Sequence, residues 1–284
     1  MIRRGMKIYF RDPIGVLTSM LTVIIIIVLY AVFLGNNLTK AIEAETVGIE
    51  KIDLFVKAWV LAGIITVMPV TLSMGIFSIK IDDDLTGTTK ALMVAPISRF
   101  KIVLSYLMTA LIITISFTIL AFIIGYFYLA HLGLKIASWE MVVPILGVIV
   151  VNVFCSIAMM FFVISFIKSR TSYSSISAIV GTLVGFLAGI YLPIGQLPGI
   201  VQTVMKFFPM TYSAGLLRNN ILDSSFKTIF ADAPSSMVDS LKENLGVNLF
   251  IGNQLVTSRL AFFILISTGC LFLLLTVLRK KKSS

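Results

Sequence analysis

The chain has 284 residues, of which 58% are hydrophobic and only 13% are charged, and its mean hydropathy is +1.04. Soluble domains are nearer a quarter charged, so this composition excludes an ordinary water-soluble protein. The net charge of +10 does not indicate nucleic-acid binding, because membrane proteins collect Lys and Arg on cytoplasmic loops. Cys155 and Cys270 both lie in apolar segments, which excludes a disulfide framework or a paired-cysteine metal site in the loops.

Apolar segments of about 20 residues recur along the chain, and a helix of that length crosses the ~30 Å hydrocarbon core of a bilayer. We predict an all-α membrane protein in which residues 1–284 form a single transmembrane domain. The first apolar segment follows a basic start, but it is longer than a signal-peptide core and lacks an A-x-A cleavage site. It is therefore the first of six predicted spans, at about residues 16–35, 58–79, 102–130, 141–167, 177–192 and 260–278.

Lys and Arg concentrate in alternate segments between the spans. The N-terminal arm, the loops after the second and fourth spans, and the C-terminus hold most of them. Because short basic loops stay on the cytoplasmic side, we predict that both termini are cytoplasmic. The basic residues of this face are Arg3, Arg4, Lys7, Arg11, Lys80, Lys90, Arg99, Lys101, Lys168, Arg170, Arg279, Lys280, Lys281 and Lys282.

The N-terminal residues 2–12 have the pattern of an amphipathic helix, with apolar residues near one face and cations mostly opposite. Such a helix can lie in the membrane interface with its cations toward acidic headgroups. The alternative is a solvated basic arm that only follows the charge rule. The apolar set is Ile2, Met6, Tyr9 and Phe10, and the cationic set is Arg3, Arg4, Lys7 and Arg11.

The loop after the second span combines acids, glycine and proline. The run Asp82–Asp84 is unusual on a face rich in cations. It precedes the segment Thr86–Val94, which we predict to be a short helix that Pro96 ends, with the acids near its positive dipole end. Exposed Leu92 and Met93 would suit docking into a partner's groove. An ordinary solvated loop is the alternative.

Small residues recur at four-residue intervals in the fifth span, at Ser177, Gly181, Gly185 and Gly189. On a helix this spacing forms a stripe that lets another backbone approach closely. The stripe predicts either packing within the chain or a seam between two subunits of a dimer.

The segment 193–217 is apolar but is interrupted by Pro193, Pro198 and Pro209, each of which removes a backbone donor. This pattern favours a re-entrant pair of short helices that dips into the outer leaflet at the start of the long outer loop, residues 193–259. Irregular backbone at that depth must be buried in protein or line a cavity.

The spans carry essentially no ionisable side chain in their interiors. Proton- or sodium-driven carriers usually need such groups, so a secondary carrier is disfavoured. The chain also lacks a GxxxxGK[ST] phosphate loop, a nucleophile–base set and a metal-spaced cluster, so an enzyme or an ATPase is disfavoured too.

The acid-rich loop contains a recognisable series of motifs: the acidic run Asp82–Asp84, then Gly87-Thr88, then Ala91-Leu92, then Ala95–Arg99. This series resembles the cytoplasmic loop of ATP-binding-cassette (ABC) permeases of the type 2 membrane family. The resemblance continues in three further motifs and, with the six spans, covers nearly the whole chain. These motifs are Arg11-Asp12-Pro13, Phe208–Tyr212 and Gly215–Arg218.

The resemblance implies that two permeases, identical or related, pair in the membrane and that each binds a separate ABC ATPase. ATP and Mg²⁺ would be bound by that ATPase, so this chain would carry no cofactor and no enzyme activity. The resemblance also implies an interfacial N-terminal helix, a coupling loop and an outer hairpin. The coupling residues would be Asp82, Asp83, Asp84, Gly87, Thr88, Leu92, Pro96 and Arg99, and the hairpin residues Pro193, Pro198, Pro209 and Tyr212.

Two features depart from the family pattern. Lys90 stands where many relatives carry an acid, so contacts with the ATPase would differ. The outer residues 219–259 form a polar insert that is large for compact members.

The leading hypothesis is the permease subunit of an ABC exporter in a bacterial cytoplasmic membrane, moving a hydrophobic or amphipathic compound such as a drug, a peptide or a lipid-linked molecule. Adaptable Met and Phe side chains would line its pathway, unless they only fill the core. A non-transporting membrane scaffold or sensor is the alternative function, and a secondary carrier comes third. The pathway candidates are Met68, Met74, Asn152, Met159 and Phe162.

Overall fold

The computed structural model describes residues 1–46, 49–134, 139–252 and 254–282. These residues form twelve α-helices and one two-residue hairpin, β1 (Phe250–Ile251) with β2 (Gln254–Leu255), which pair antiparallel. A π-helical turn, Tyr30–Leu34, joins α2 to α3, and a 3₁₀ turn, Ile194–Gln196, precedes α9. The helices are α1 (Ile2–Arg11), α2 (Pro13–Leu29), α3 (Gly35–Glu45), α4 (Ile52–Leu85), α5 (Thr88–Val94), α6 (Arg99–His131), α7 (Trp139–Ile164), α8 (Arg170–Leu187), α9 (Gly199–Phe207), α10 (Pro209–Ile229), α11 (Ser235–Asn244) and α12 (Ser258–Lys282).

Five helical segments are long and apolar enough to cross a membrane: Pro13–Val32, Ile52–Leu85, Arg99–His131, Trp139–Ile164 and Ser258–Arg279. They confirm a multi-pass, all-helical membrane protein, and they coincide with five of the six predicted spans. The remaining predicted span, 177–192, falls on α8, which is not among the five. This helix begins earlier than predicted, in a polar first turn, and ends at Leu187.

Helix α4 is the centre of the bundle. It packs against α2, α3, α6, α7, α8 and α10, and 83% of its most apolar window is buried, against 22% for the spans of α2 and α12. All these windows are strongly apolar, so hydropathy alone does not separate the central helix from the peripheral ones.

Pro69 lies inside α4 without ending the helix. Proline has no N–H, so the carbonyl of Ile65, four residues earlier, loses its intrahelical donor. The Nδ2 atom of Asn152, on α7, lies 3.4 Å from that carbonyl and 3.1 Å from the carbonyl of Thr66. Asn152 is fully buried. Its amide therefore compensates for the missing donor and joins the two helices at the proline.

The ends of the shorter helices follow local rules that the sequence contains. Pro13 and Pro209 occupy the first turns of α2 and α10, where the missing N–H costs nothing. Helix α5 ends at Val94, before Pro96, as predicted. Its start is two residues later than predicted, because Gly87 adopts a left-handed φ of 78° immediately before it.

Candidate coupling site and membrane groove

The buried carboxylate of Asp83 lies at the C-terminal end of α4. Both guanidinium Nη atoms of Arg4, on α1, donate to it at 2.7 Å, and the hydroxyl of Tyr106, on α6, donates at 2.6 Å. This bidentate bond with Asp83 is the main cause that raises the pKa of Arg4, which keeps the guanidinium charged. One carboxylate thus joins three helices.

The two flanking aspartates contact other elements. Asp82 forms an ion pair with Arg170, in the first turn of α8. Asp84 forms an ion pair with Lys80 and accepts a 2.6 Å hydrogen bond from the hydroxyl of Thr89, in α5. We call Asp82, Asp83 and Asp84 with these partners the aspartate cluster. It connects the end of α4 to α1, α5, α6 and α8.

Helix α5 presents apolar side chains outward from this cluster. Val94 is 87% exposed and Met93 46% exposed. Leu92 is half-buried and packs against the core, so the prediction that it is exposed is wrong. A seven-residue helix has one inward side, and Leu92 lies on it.

An open groove with a volume of about 910 Å³ lies between α2, α4 and α8. Tyr173, on α8, donates from its hydroxyl to the carbonyl of Met74, on α4, at 2.8 Å and holds these two walls together. Hydroxyl groups and apolar side chains share the lining, which includes Thr18, Thr22, Ile25, Thr71, Ser177 and Phe186.

A second buried charge, Arg218 on α10, lies near the N-terminal part of α4. Only 2% of the residue is exposed, and burial lowers the pKa of its guanidinium to about 10. Its Nη atoms donate to the carbonyl of Gly189 at 2.7 Å and to that of Leu245 at 3.1 Å. The guanidinium carbon lies 4.4 Å from the ring centre of Trp59, and the Nε1 of Trp59 donates to the same Leu245 carbonyl at 2.9 Å.

Both acceptors of Arg218 lie at helix C-termini of the same kind. Helices α8 and α11 are each followed, two residues after their last helical residue, by a left-handed glycine, Gly189 at φ 63° and Gly246 at φ 67°. In each, the following amide bonds back to the last turn: Ile190 to the Gly185 carbonyl, and Val247 to that of Lys242. Arg218 thus places its cation against the negative ends of two helix dipoles. We call Arg218, Trp59 and these two helix ends the Arg218 cluster.

A family model described as ABC-2 type transporter matches residues 1–222, more than three quarters of the chain. The chain belongs to the ABC-2 type transporter family. In ABC transporters this membrane domain is the non-catalytic permease part, so the chain is a membrane permease and not the ATPase. The match ends within α10 and leaves α11, the hairpin and α12 outside it. Searches among curated proteins and solved structures gave no significant match.

The predicted coupling residues of the permease occupy one region of the structure. The three aspartates belong to the aspartate cluster, Gly87 forms the turn before α5, and the hydroxyl of Thr88 lies 2.9 Å from that of Thr86. Pro96 and Arg99 are exposed, and Arg99 begins α6.

The predicted pathway residues of the permease are not brought together. Met74 lines the groove. Met68 and Met159 are buried in the core, and Asn152 bonds to α4. Phe162 packs its ring on Phe166 and Phe272. A sequence signal that could have identified the groove is the spacing of hydroxyl residues on its two walls. These residues are Thr18, Ser19 and Thr22 on α2, and Ser174 and Ser177 on α8.

The predicted glycine stripe is shorter than expected. Ser177 and Gly181 line the groove, and a Cβ added at Gly181 would lie 2.9 Å from the Oγ1 of Thr22. A Cβ at Gly185 would lie 2.4 Å from the ring of Tyr191 in the same chain. Gly189 lies beyond the end of α8, so its place on the stripe is wrong.

The predicted outer prolines each begin an element. Pro193 precedes the 3₁₀ turn, Pro198 precedes α9, and Pro209 begins α10. The hydroxyl of Tyr212 donates to the carbonyl of Lys206 at 2.6 Å, which ties the first turn of α10 to the last turn of α9. Arg218 ends one of the motifs of the family resemblance, but its burial was not predicted, because the carbonyls that it contacts are distant in the chain.

Proposed function

We propose that this permease exports a hydrophobic or amphipathic compound, using ATP that a separate ATPase subunit hydrolyses. The groove between α2, α4 and α8 carries the proposal, because its volume of about 910 Å³ suits a drug-sized molecule. The lining residues identified in the described part of the chain are all uncharged. A fully charged compound would find no counter-ion among them, whereas an apolar or amphipathic compound would find apolar contact.

The hydroxyl groups of the groove narrow the substrate class. Thr18 and Thr182 each donate to a backbone carbonyl of their own helix, at 3.0 and 2.9 Å. Their donor capacity is used, while oxygen lone pairs remain free to accept. The groove therefore favours an amphipathic compound that brings its own N–H or O–H donors beside an apolar portion.

We further propose the six-span arrangement, with α8 as the fifth span, α9 and α10 as the re-entrant outer hairpin, and both termini cytoplasmic. The positive-inside distribution supports this orientation. Cysteines replacing Lys90 and Asp232, both exposed, test it with a membrane-impermeant thiol reagent on intact cells. Only the one at position 232 should react. Labelling at position 90 would contradict the orientation.

A second permease copy is the proposed cover of the groove. The flanks of the groove are apolar and exposed, with Ile179 55% and Leu183 48% exposed on α8. The close approach at Gly181 is to Thr22 of the same chain, so the proposed seam rests on the exposed apolar flanks alone. We propose one permease domain over residues 1–284, since α12 packs against α7 and α10 although the family match ends before it.

Helix α5 is the proposed docking element for the ATPase. Val94 and Met93 form the apolar anchor, and the aspartate cluster would pass their displacement to α4. Val94→Asp should abolish tight coupling between hydrolysis and transport, because a desolvated charge opposes docking at a packed contact. The isosteric Val94→Thr variant is the control and should couple normally. A Val94→Asp complex that transports at the normal rate would contradict the docking role.

The pathway is tested with the permease–ATPase complex reconstituted in liposomes. Amphipathic fluorescent compounds that stimulate hydrolysis should accumulate inside vesicles whose ATPase subunits face outward. Ser177→Phe, which fills the groove, should abolish stimulation and leave basal hydrolysis intact, whereas Ser177→Ala should behave as the unmodified protein. If Ser177→Phe keeps both stimulation and accumulation, the pathway lies elsewhere. If hydrolysis never drives accumulation of any compound, the scaffold or sensor function is favoured instead.

A further inference from the structure

The structure fixes which side of α1 faces outward. Gly5 and Tyr9 are buried, a Cβ at Gly5 would lie 2.8 Å from the Oγ1 of Thr109, and the hydroxyl of Tyr9 lies 2.8 Å from that of Ser19. These contacts with α6 and α2 leave one orientation for the helix. The outward face then carries three exposed cations, spaced four residues apart: Arg3, Lys7 and Arg11.

These three cations have no ion-pair partner among the residues that the structure describes. Arg4 is different, because its guanidinium is bonded to Asp83. The helix therefore divides its charges: one cation holds α1 to the aspartate cluster, and three are free for an external anion.

The surface changes from cationic to apolar immediately after α1. Phe10 is 58% exposed beside Arg11, and Ile14, in the first turn of the membrane-spanning segment, is 73% exposed. Exposed apolar side chains of that segment face hydrocarbon, so the adjacent cations lie at the level of the lipid headgroups.

We propose that Arg3, Lys7 and Arg11 form a binding surface for acidic phospholipid headgroups, which anchors α1 and through Arg4 stabilises the aspartate cluster. Charge complementarity and position select this partner, since an anionic leaflet presents phosphates where these side chains emerge. Each cation near such a surface adds a comparable increment of attraction, which screening by salt reduces.

The test uses the purified full-length permease in neutral detergent, titrated with phosphatidylglycerol or phosphatidylcholine, with the thermal midpoint as readout. Because no ATPase or transport substrate is present, failure here leaves the proposed export function untouched. Phosphatidylglycerol should raise the midpoint at low salt, whereas phosphatidylcholine and soluble glycerol phosphate should not. A triple variant, Arg3→Gln with Lys7→Gln and Arg11→Gln, should need on the order of 10- to 100-fold more phosphatidylglycerol for the same shift.

The matched control removes three exposed cations elsewhere, with Lys40→Gln, Lys51→Gln and Arg259→Gln, and should respond as the unmodified protein. If both triple variants lose the phosphatidylglycerol response equally, the response depends only on net charge, and the proposal is overturned. An unchanged response of the α1 variant would also overturn it.

Discussion

Two charges are buried in the described part of this permease, and they lie toward opposite ends of α4 and are stabilised in different ways. Trp59 and Asp83 are ~36 Å apart along the helix axis at 1.5 Å per residue. Asp83 is neutralised by another side chain, the partly exposed Arg4. Arg218 has no carboxylate partner in the described part of the chain and relies on backbone carbonyls and an aromatic face.

This difference indicates which end of the bundle can rearrange. The ion pair of Arg4 with Asp83 can break and re-form when α1 moves, because the partly exposed guanidinium of Arg4 can be hydrated or can bind lipid headgroups. The carbonyls at the ends of α8 and α11 cannot leave Arg218 unless those helix ends unwind. We infer that the aspartate cluster is the adjustable end and the Arg218 cluster the fixed end.

The largest effect is expected at the fixed end. Arg218→Ala removes the donors to the Gly189 carbonyl and leaves a cavity beside Trp59, which should cost about 2–4 kcal/mol of unfolding free energy. The thermal midpoint in detergent measures it. Arg218→Lys, which keeps the charge but cannot reach both helix ends at once, should lose most of the same stability. A fully stable Arg218→Lys protein would mean that the charge, not the forked geometry, matters.

At the adjustable end, Asp83→Asn should cost less, about 1–2 kcal/mol, because Arg4 is partly exposed and can be rehydrated. Arg4→Gln should produce a similar loss, and the double variant should lose little more than either single one. Additive losses would show that Arg4 and Asp83 stabilise the protein independently, and the comparison of the two ends would fail.

Between the two ends, Asn152→Leu should cost about 1–2 kcal/mol by leaving the carbonyls of Ile65 and Thr66 without the amide donor. In a Pro69→Ala background the restored backbone N–H replaces that donor for Ile65, so the same change should cost less. If Asn152→Leu costs the same unfolding free energy in both backgrounds, the Asn152 amide does not compensate for the donor that Pro69 lacks. The thermal midpoints of the four proteins form the required cycle.

Features of this molecule that depend on residues close together in the chain could be predicted from its sequence. Features that depend on contacts between distant residues could not. The five long apolar helices and the end of α5 before Pro96 follow from local rules, and these features were predicted. Helix α4 is apolar on every side, so its sequence cannot distinguish Met74, which faces the groove, from Met68, which is in the core. The burial of Arg218 depends on carbonyls distant in the chain, at Gly189 and Leu245.

The smallest effects are expected within the aspartate cluster, at the two acids that the sequence pattern does not separate from Asp83. The side chains of Asp82 and Asp84 are 44% and 40% exposed, against 8% for Asp83. Exposed ion pairs contribute less than about 1 kcal/mol, because water and salt compensate when they break. Asp82→Asn and Asp84→Asn should therefore shift the thermal midpoint by less than half of the Asp83→Asn shift, and less still at high salt.

Asp84→Asn should nevertheless weaken the tie between α4 and α5 through Thr89, so coupled hydrolysis should fall more than stability does. Equal destabilisation by all three substitutions would mean that the acidic run acts as one electrostatic unit rather than through the single buried carboxylate.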